Sequence, residues 1–218
     1  MDTLMTSPAP QPEIPLVRIV DDDEAVRDSL TWLFDSRQVP AKAWASAEEF
    51  LQDWKPEWRG CIVLDIRMQG MSGLTCYDML KERGNLLPVI FLTGHGDVPM
   101  AVGALKKGAF DFLEKPFDDN HLVDVAAQAL AKDQMRFVTQ ENQQEVSARL
   151  ATLTPREREV MEQILAGKFN KIIADHLAIS MRTVEVHRAR IFDKMGVRTA
   201  VELSQLLAAY KDFHKDHS

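Results

Sequence analysis

The sequence predicts two domains, the first a doubly wound α/β domain with five parallel strands and the second built from helices alone. Short apolar runs alternate with helix-period segments through residues 16–131, and this alternation is typical of a parallel sheet between layers of helices. Residues 150–212 carry four helix signals in succession. A chain of 218 residues is also longer than most single domains, which favours two.

Five apolar runs predict the strands of the first domain, and each is followed by a segment with the period of an amphipathic helix. Ser46 and Glu49 have the spacing of a capping box, which marks the start of the second helix. The strands are expected at residues 16–20, 41–45, 61–64, 89–92 and 110–113. The helices are expected at residues 24–36, 48–53, 75–83, 98–107 and 120–131.

The second domain follows a polar, glutamine-rich segment over residues 132–149, which is expected to be a partly helical linker. Thr154 begins one complete capping box and Thr199 begins another, and Pro155 occupies the favoured first helical position. We therefore expect four helices, the first beginning at residues 154–157 and the others at residues 170–177, 180–195 and 199–210.

The ends of the chain and its cysteines carry little functional signal. Residues 1–15 hold four prolines but lack the basic-then-apolar order of a secretory signal, so we expect a disordered leader. Residues 213–218 are expected to be a short tail. No apolar run approaches the ~18 residues that a membrane span requires, which favours a cytoplasmic protein. Cys61 and Cys76 have apolar neighbours and are expected to be buried, reduced thiols.

Charge is distributed unevenly between the two domains. The net charge is −7, which by itself would disfavour binding to nucleic acid. Residues 16–130 contain 19 acidic and 12 basic residues, whereas residues 150–212 contain 10 basic and 8 acidic ones. The second domain is therefore the candidate for contact with a phosphate backbone.

Acidic residues follow two of the predicted strands. Asp21 and Asp22 follow the first strand and Asp65 follows the third, so all three are expected at the carboxyl edge of the sheet, where such folds bind ligands. Crowded carboxylates favour a hard cation with oxygen ligands, and Mg²⁺ fits best. Thr93 and Lys115 follow the fourth and fifth strands, and could hold the oxygens of an acyl phosphate formed on Asp65.

These strand ends resemble the receiver domain of two-component response regulators, in particular its FixJ branch, with a flavodoxin-like (CheY-like) fold. The stretches that carry the resemblance are residues 19–24 (IVDDDE), 64–68 (LDIRM), 93–100 (TGHGDVPM) and 112–117 (FLEKPF). The resemblance implies that Asp65 is the phosphoacceptor, and that Thr93 and Lys115 hold the phosphoryl group. It also implies that Mg²⁺ is bound by Asp22, Asp65 and the backbone carbonyl of Arg67, with Asp21 acting mainly through water.

Three further expectations come from the same resemblance. Phe112 matches the aromatic switch, which turns inward as Thr93 moves toward the phosphate. The Lys115-Pro116 bond is expected to be cis. The family often has proline where this chain has Gln69, so the loop after Asp65 is expected to be looser and the lifetime of the phosphate altered.

Two other kinds of protein fit the residues less well. A flavin-binding electron carrier needs a glycine- or hydroxyl-rich phosphate loop after the first strand, but residues 21–24 are acidic and would repel the flavin phosphate. An aspartyl phosphatase of the haloacid dehalogenase type needs a second acid two residues after its nucleophile, and Arg67 stands there. We therefore expect a protein that is not an enzyme, with slow self-dephosphorylation at most.

The second domain resembles the LuxR or NarL type of helix-turn-helix. The matching stretches are residues 153–160 (LTPREREV), 167–174 (GKFNKIIA) and 179–190 (ISMRTVEVHRAR). A short turn at residues 178–179 is expected to place the second helix of the motif in the major groove of DNA.

One face of that second helix is expected to pack on the domain through Val184, Ile191 and Met195. The other is expected to read bases, with Val186 and Ala189 near thymine methyls and Glu185 accepting from cytosine. Further polar residues are expected to reach phosphate or guanine, or to flank these contacts. They are Lys171, Arg182, Thr183, His187, Arg188, Arg190 and Lys194. An internal salt bridge for Arg188 and a packed, hydrogen-bonded state for His187 remain open alternatives.

Together the two resemblances imply a transcription regulator. A sensor histidine kinase would phosphorylate Asp65, and the phosphorylated chain would form a homodimer through the fourth helix and fifth strand and bind paired half-sites in promoter DNA. RNA polymerase is a candidate further partner. The alternatives are a phosphorylation-independent DNA-binding regulator with a vestigial receiver, or an adaptor whose helical domain binds protein.

Overall fold

The computed structural model describes residues 14–94 and 98–216. Most of the expected leader and residues 217–218 of the expected tail lie outside these ranges, as do residues 95–97 of the stretch at 93–100. The chain forms two compact units that meet between Phe137 and Val138. In the described residues, no helix is both long enough and apolar enough to span a membrane.

The first unit is built on a five-stranded parallel sheet with the order β2-β1-β3-β4-β5. Each strand lies within one residue, at both ends, of the range that the sequence predicts. The predicted fold class is therefore confirmed. The strands are β1 (Leu16–Val20), β2 (Ala41–Trp44), β3 (Gly60–Asp65), β4 (Val89–Thr93) and β5 (Asp111–Glu114).

Helices follow the strands, and several begin at a side chain that accepts a hydrogen bond from the first turn. Asp23 caps the first helix, Ser46 the second and Ser72 the third. The helices are α1 (Glu24–Ser36), α2 (Ala47–Asp53), α3 (Gly73–Glu82), α4 (Val98–Lys106) and α5 (Asp119–Ala151).

Both faces of the sheet are covered, as the run of apolar residues in each central strand requires. Ile62 and Leu64 face a core that α2 and α3 complete, whereas Cys61 and Val63 face a core completed by α1 and α5. Cys61 and Cys76 are buried free thiols, and burial raises the pKa of each to about 12. Both cysteines therefore act as small apolar side chains.

The fifth helix differs most from the prediction. Its expected end near residue 131 is wrong, since α5 continues to Ala151 and includes the expected linker at 132–149. Residues 119–151 contain neither glycine nor proline, and many are glutamine, glutamate and alanine, which have high helix propensity. Apolar periodicity is weak in this segment, but the high helix propensity of its residues and a buried ion pair stabilise the helix.

That ion pair joins α5 to the start of β3. The Asp133 carboxylate is fully buried and accepts hydrogen bonds from Arg59 Nε at 2.7 Å, Gly60 N at 2.9 Å and Arg136 Nη2 at 2.6 Å. The Arg59 guanidinium also stacks on Phe137, 3.6 Å from the ring centroid. A Cβ atom on residue 60 would lie 2.1 Å from Leu16 O, so glycine is required at this junction.

We predict that Asp133→Ala lowers the free energy of unfolding of the first unit by about 3 to 5 kcal/mol, because Arg59 would remain buried without its carboxylate partner. All four tryptophans lie in this unit, so tryptophan fluorescence during urea unfolding measures its stability. The control Asp124→Ala removes an exposed carboxylate from the same helix and should cost less than about 0.5 kcal/mol. Equal effects of the two changes would contradict the prediction.

The second unit contains the last turns of α5 together with α6 (Pro155–Leu165), α7 (Asn170–Leu177), α8 (Met181–Met195) and α9 (Ala200–Asp216). The α9 helix extends past the expected end at residue 210. Thr154 and Glu157 form the predicted capping box. At the start of α9 the second box is displaced, since Glu202 accepts from Arg198 N and its own amide donates to Thr199.

A single apolar cluster holds these helices together. Val184, Ile191 and Met195 of α8 are fully buried within it, as the sequence predicts. Ala178 has a positive φ of 53°, so the chain turns in the left-handed region between α7 and α8. This short turn is the connection expected of a helix-turn-helix motif.

Candidate functional site

Three aspartates meet at the carboxyl edge of the sheet, where β1 and β3 are neighbours. Asp21 and Asp22 come directly after β1, and Asp65 is the last residue of β3. One carboxylate oxygen of each residue lies within 4.8 Å of those of the other two. Asp21 is fully buried and Asp65 is 6% exposed, whereas Asp22 is half-buried. This cluster of hard oxygen donors could hold a divalent cation.

Lys115 supplies positive charge to the cluster from the end of β5. Its Nζ lies 2.7 Å from Asp21 Oδ2 and 3.3 Å from Asp65 Oδ1. Burial alone would lower the pKa of Lys115, but the hydrogen bonds and charges of Asp21 and Asp65 outweigh burial and raise it. The lysine is therefore charged at neutral pH. The Lys115-Pro116 bond is cis.

The carboxylates of the acidic run after β1 have two different roles. Asp21 Oδ1 accepts from the amide of Asp23 at 2.9 Å, and Arg27 donates to the Asp21 carbonyl at 2.8 Å. Asp23 points away from the cluster and caps α1 by accepting from Ala25 N. Hydrogen bonds between the backbone of the loop and the side chains of Asp21 and Arg27 thus order the loop, and two of its carboxylates, Asp21 and Asp22, belong to the cluster.

Asp65 is hard to ionise in the absence of a metal. Its pKa is raised from 3.8 to about 6, first because it is buried and then because Asp21 and Asp22 are negative. The charge of Lys115 opposes this rise. The site therefore holds a carboxylate whose charge is only partly compensated by the protein.

The helix-turn-helix places a polar face on the outside of the second unit. The α8 helix begins at Ser180, whose hydroxyl accepts from Thr183 N at 3.0 Å. Opposite the buried face of α8, the exposed residues are Arg182, Glu185, Val186, Ala189 and Arg190. Basic and small side chains on one exposed helix suit contact with phosphates and base edges in a major groove.

Comparisons with known proteins address both units. Residues 17–127 match the family described as the response regulator receiver domain. Residues 151–207 match the bacterial regulatory proteins of the luxR family. The chain belongs to the LuxR-type response regulators. The family resemblance seen in the sequence is therefore confirmed.

Similar proteins span nearly the whole of this response regulator. The C4-dicarboxylate transport transcriptional regulatory protein DctR of Rhodobacter capsulatus is 50% identical over 192 residues, which cover 87% of this chain and 98% of DctR. The transcriptional regulatory protein FixJ of Azorhizobium caulinodans is 45% identical over 195 residues, 89% of this chain and 92% of FixJ. The solved structure of response regulator StyR has a TM-score of 0.84 at 39% identity, covering 90% of this chain and 99% of that one.

The remaining receiver residues of this response regulator occupy the positions that the strand ends predict. Thr93 ends β4 and is fully buried, and its hydroxyl donates to Gly94 O at 3.2 Å. Phe112 in β5 is half-buried against the apolar cluster under α2 and α3. Arg67 lies in the loop after Asp65, where its backbone follows the end of β3.

One of the predicted DNA contacts, Lys194, has hydrogen-bond partners within the second unit of this response regulator. Lys194 donates to the buried carboxylate of Glu157 at 2.7 Å and to Thr152 O at 2.9 Å. The Glu157 pKa falls to about 2, chiefly because of this hydrogen bond and then that from the Thr154 amide. Lys194 therefore stabilises the packing of α8 on α6. The capping box predicted the position of Glu157, but helix periodicity did not predict that Glu157 also binds Lys194.

The sequence predicts a phosphate contact for Lys171 and leaves alternatives open for Arg188 and His187. Arg188 is half-buried, with its guanidinium 5.3 Å from the Phe192 ring centroid. No described residue hydrogen-bonds to the buried Nδ1 of His187. Lys171 is exposed in the first turn of α7, two residues after Phe169, which occupies the N-cap position without a side-chain hydrogen bond.

Sequence reasoning missed one backbone contact at the acidic site. The amide of Gln69 donates to Asp22 Oδ2 at 2.7 Å. A backbone amide is present in every residue except proline, so no side-chain pattern identifies this donor. One indication of this hydrogen bond was present in the sequence, namely that Gln69 stands where the family often has proline.

We predict that Asp65→Asn raises the thermal stability of the metal-free protein near neutral pH. The folded-state pKa of about 6 exceeds the ordinary 3.8, so ionisation of Asp65 destabilises the fold as pH rises above 3.8, with full effect above 6. The advantage of the variant should therefore shrink as pH falls toward about 4. Thermal unfolding in a chelating buffer, followed by tryptophan fluorescence, measures it.

The matched control is Asp28→Asn, which neutralises an exposed carboxylate on α1. Its effect on thermal stability should stay small across the same pH range. A stabilisation by Asp65→Asn that is constant with pH, or that grows as pH falls, would show that the Asp65 charge is not the cause.

Proposed function

We propose that this chain is a phosphorylation-controlled transcription regulator, in which a sensor histidine kinase transfers a phosphoryl group to Asp65. The observation that carries the proposal is the position of Asp65, at a sheet edge with Lys115 3.3 Å away and two further carboxylates alongside. In the transfer, the P–N bond of the kinase phosphohistidine breaks and a P–O bond to an Asp65 oxygen forms. The released imidazole remains on the kinase.

Mg²⁺ is the cation proposed for the cluster. The donor set fits, because carboxylate oxygens crowd one edge and Mg²⁺ binds through one or two carboxylates, water and phosphate. Asp22, Asp65 and the carbonyl of Arg67 would hold it, with Asp21 acting through water. When bound, the ion supplies positive charge that neutralises phosphoryl oxygens.

The chain's own residues would complete the phosphate site. Lys115 carries a charged amine beside Asp65 and can donate to a phosphoryl oxygen. Thr93 would exchange its hydrogen bond to Gly94 O for one to the phosphate. Phe112, which is half-buried, would then turn further into the space that Thr93 leaves, and so couple phosphorylation to the surface of α4 and β5.

That surface is proposed to form the homodimer. Met100 and Val102 of α4 are about two-fifths exposed, at 41% and 39%, and exposed apolar side chains favour association. A dimer binds paired half-sites, which makes the affinity for DNA depend on the phosphorylated population. RNA polymerase is a further partner proposed for the DNA-bound state.

The DNA-binding face is assigned to α8 and the start of α7. Val186, Ala189 and Glu185 are proposed to read base edges. Phosphate contacts are proposed for four basic residues: Arg182, Arg190, Lys171 and Arg188. Thr183 and His187 would flank these contacts. Lys194 is not among them, because it forms an ion pair with Glu157. A regulator that binds chromosomal DNA would act in the cytoplasm. We propose no catalytic turnover beyond slow loss of the phosphoryl group.

The first test is intact mass after incubation with acetyl phosphate and Mg²⁺. We expect the native chain and the Asp28→Asn control to gain one phosphoryl group, and Asp65→Asn to gain none. Size-exclusion chromatography of the same samples should show a dimer only where the group was gained. A folded native chain that gains no phosphoryl group from either acetyl phosphate or a histidine kinase would instead favour a regulator with a vestigial receiver.

For the DNA face, we predict different effects from base-reading and phosphate-binding residues. Glu185→Ala should change which duplex sequence is preferred, with a cost of about 1–3 kcal/mol at one position. Lys171→Ala should weaken binding to all duplexes alike and lower the slope of log affinity against log salt by about 1. Binding of the phosphorylated chain to duplex libraries at several salt concentrations separates the two, and a uniform loss with Glu185→Ala would refute the assignment.

A further inference from the structure

The loop between β3 and α3, residues 66–72, is anchored by carboxylates from two other parts of the first unit. The amide of Gln69 donates to Asp22 Oδ2 at 2.7 Å. Two residues later, the amide of Met71 donates to Glu48 Oε1 at 2.9 Å. Asp22 belongs to the loop after β1 and Glu48 to α2, so the loop is tied at two points.

Gly70 lies between the two anchored amides and allows this geometry. Its φ is 76°, and a Cβ atom there would lie 2.8 Å from Glu48 Oε1. A left-handed residue in close contact with the acceptor is a position for glycine. The backbone conformation at Gly70 therefore helps to direct the amides on either side toward different carboxylates.

We propose that the backbone amide of Gln69 positions Asp22 for binding of the divalent cation. This inference rests on the proposed function, because it concerns the same metal site. The amide fixes one oxygen of Asp22, so that the carboxylate cannot rotate freely and can present its other oxygen to the cation. Gln69 is thus a positioning residue that acts through Asp22.

Two physical effects support this role. A hydrogen bond to an ionised carboxylate is stronger than one between neutral groups, and it offsets part of the repulsion among three aspartates whose ligand oxygens lie within 4.8 Å of one another. Groups that hydrogen-bond to a metal ligand also fix its orientation, and their loss typically weakens metal binding by about 10- to 100-fold.

The side chain and the backbone amide of residue 69 are expected to affect the contact with Asp22 differently. The Gln69 side chain is exposed and has no part in the contact, so Gln69→Ala keeps the donor. Gln69→Pro removes the donor, because proline has no amide hydrogen. This chain can make a contact to Asp22 that a receiver with proline at the same place cannot make.

The experiment is a calorimetric titration of the full chain with Mg²⁺ alone. We expect Gln69→Ala to bind within about twofold of the native chain and Gln69→Pro to bind about tenfold more weakly or worse. Equal affinity of the proline and alanine variants, or an equal loss in both, would overturn the positioning role. A native chain that binds no Mg²⁺ would overturn the metal site as well, which distinguishes the two failures.

A second measurement does not depend on the folding of the proline variant or on the metal. Amide hydrogen exchange, resolved by residue in the metal-free native chain and in Asp22→Ala, reports the anchor directly. We expect the Gln69 amide to exchange about tenfold faster in Asp22→Ala, and the Met71 amide, which donates to Glu48, to be unchanged. Unchanged exchange at Gln69, or equal acceleration at both amides, would overturn the contact.

Discussion

The repulsion among Asp21, Asp22 and Asp65 is the constraint on which the rest of the receiver site depends. Three carboxylates with ligand oxygens within 4.8 Å of one another are stable only if positive charge and hydrogen-bond donors surround them. The chain supplies Lys115 and backbone amides, but burial, together with the charges of Asp21 and Asp22, still raises the pKa of Asp65. A bound cation would supply the positive charge that this site lacks.

The order of the strands determines which residues can meet there. In the order β2-β1-β3-β4-β5, β1 and β3 are neighbours although a strand and two helices separate them in sequence. The connection from β1 runs to β2 on one side, whereas the connection from β3 runs to β4 on the other, and such a switch point opens a crevice at the carboxyl ends. The same topology brings Lys115, from the far strand β5, to within 2.7 Å of Asp21.

The sequence predicted most of this fold because its signals are local. Apolar runs placed the strands to within one residue, and capping residues such as Thr154 located helix starts. Contacts between distant residues were not predictable. Asp133 reads as an ordinary surface acid on a polar helix, yet it is buried against Arg59. The Gln69 amide has no sequence signature, because every residue other than proline carries the same donor.

The second unit shows why counting charges overestimates a DNA-binding surface. Of its 10 basic residues at 150–212, several satisfy the protein itself: Lys194 pairs with Glu157, and Arg158 donates to the carbonyls of Leu153 and Leu150. Such cations hold α6 and α8 in place and are poorly placed to release counterions from DNA. The slight excess of basic residues therefore matters less than their position, since the exposed cations Arg182 and Arg190 stand on α8 opposite its fully buried face. Packing thus uses one side of α8 and the proposed DNA recognition the other, so a change on either side should affect one property more than the other.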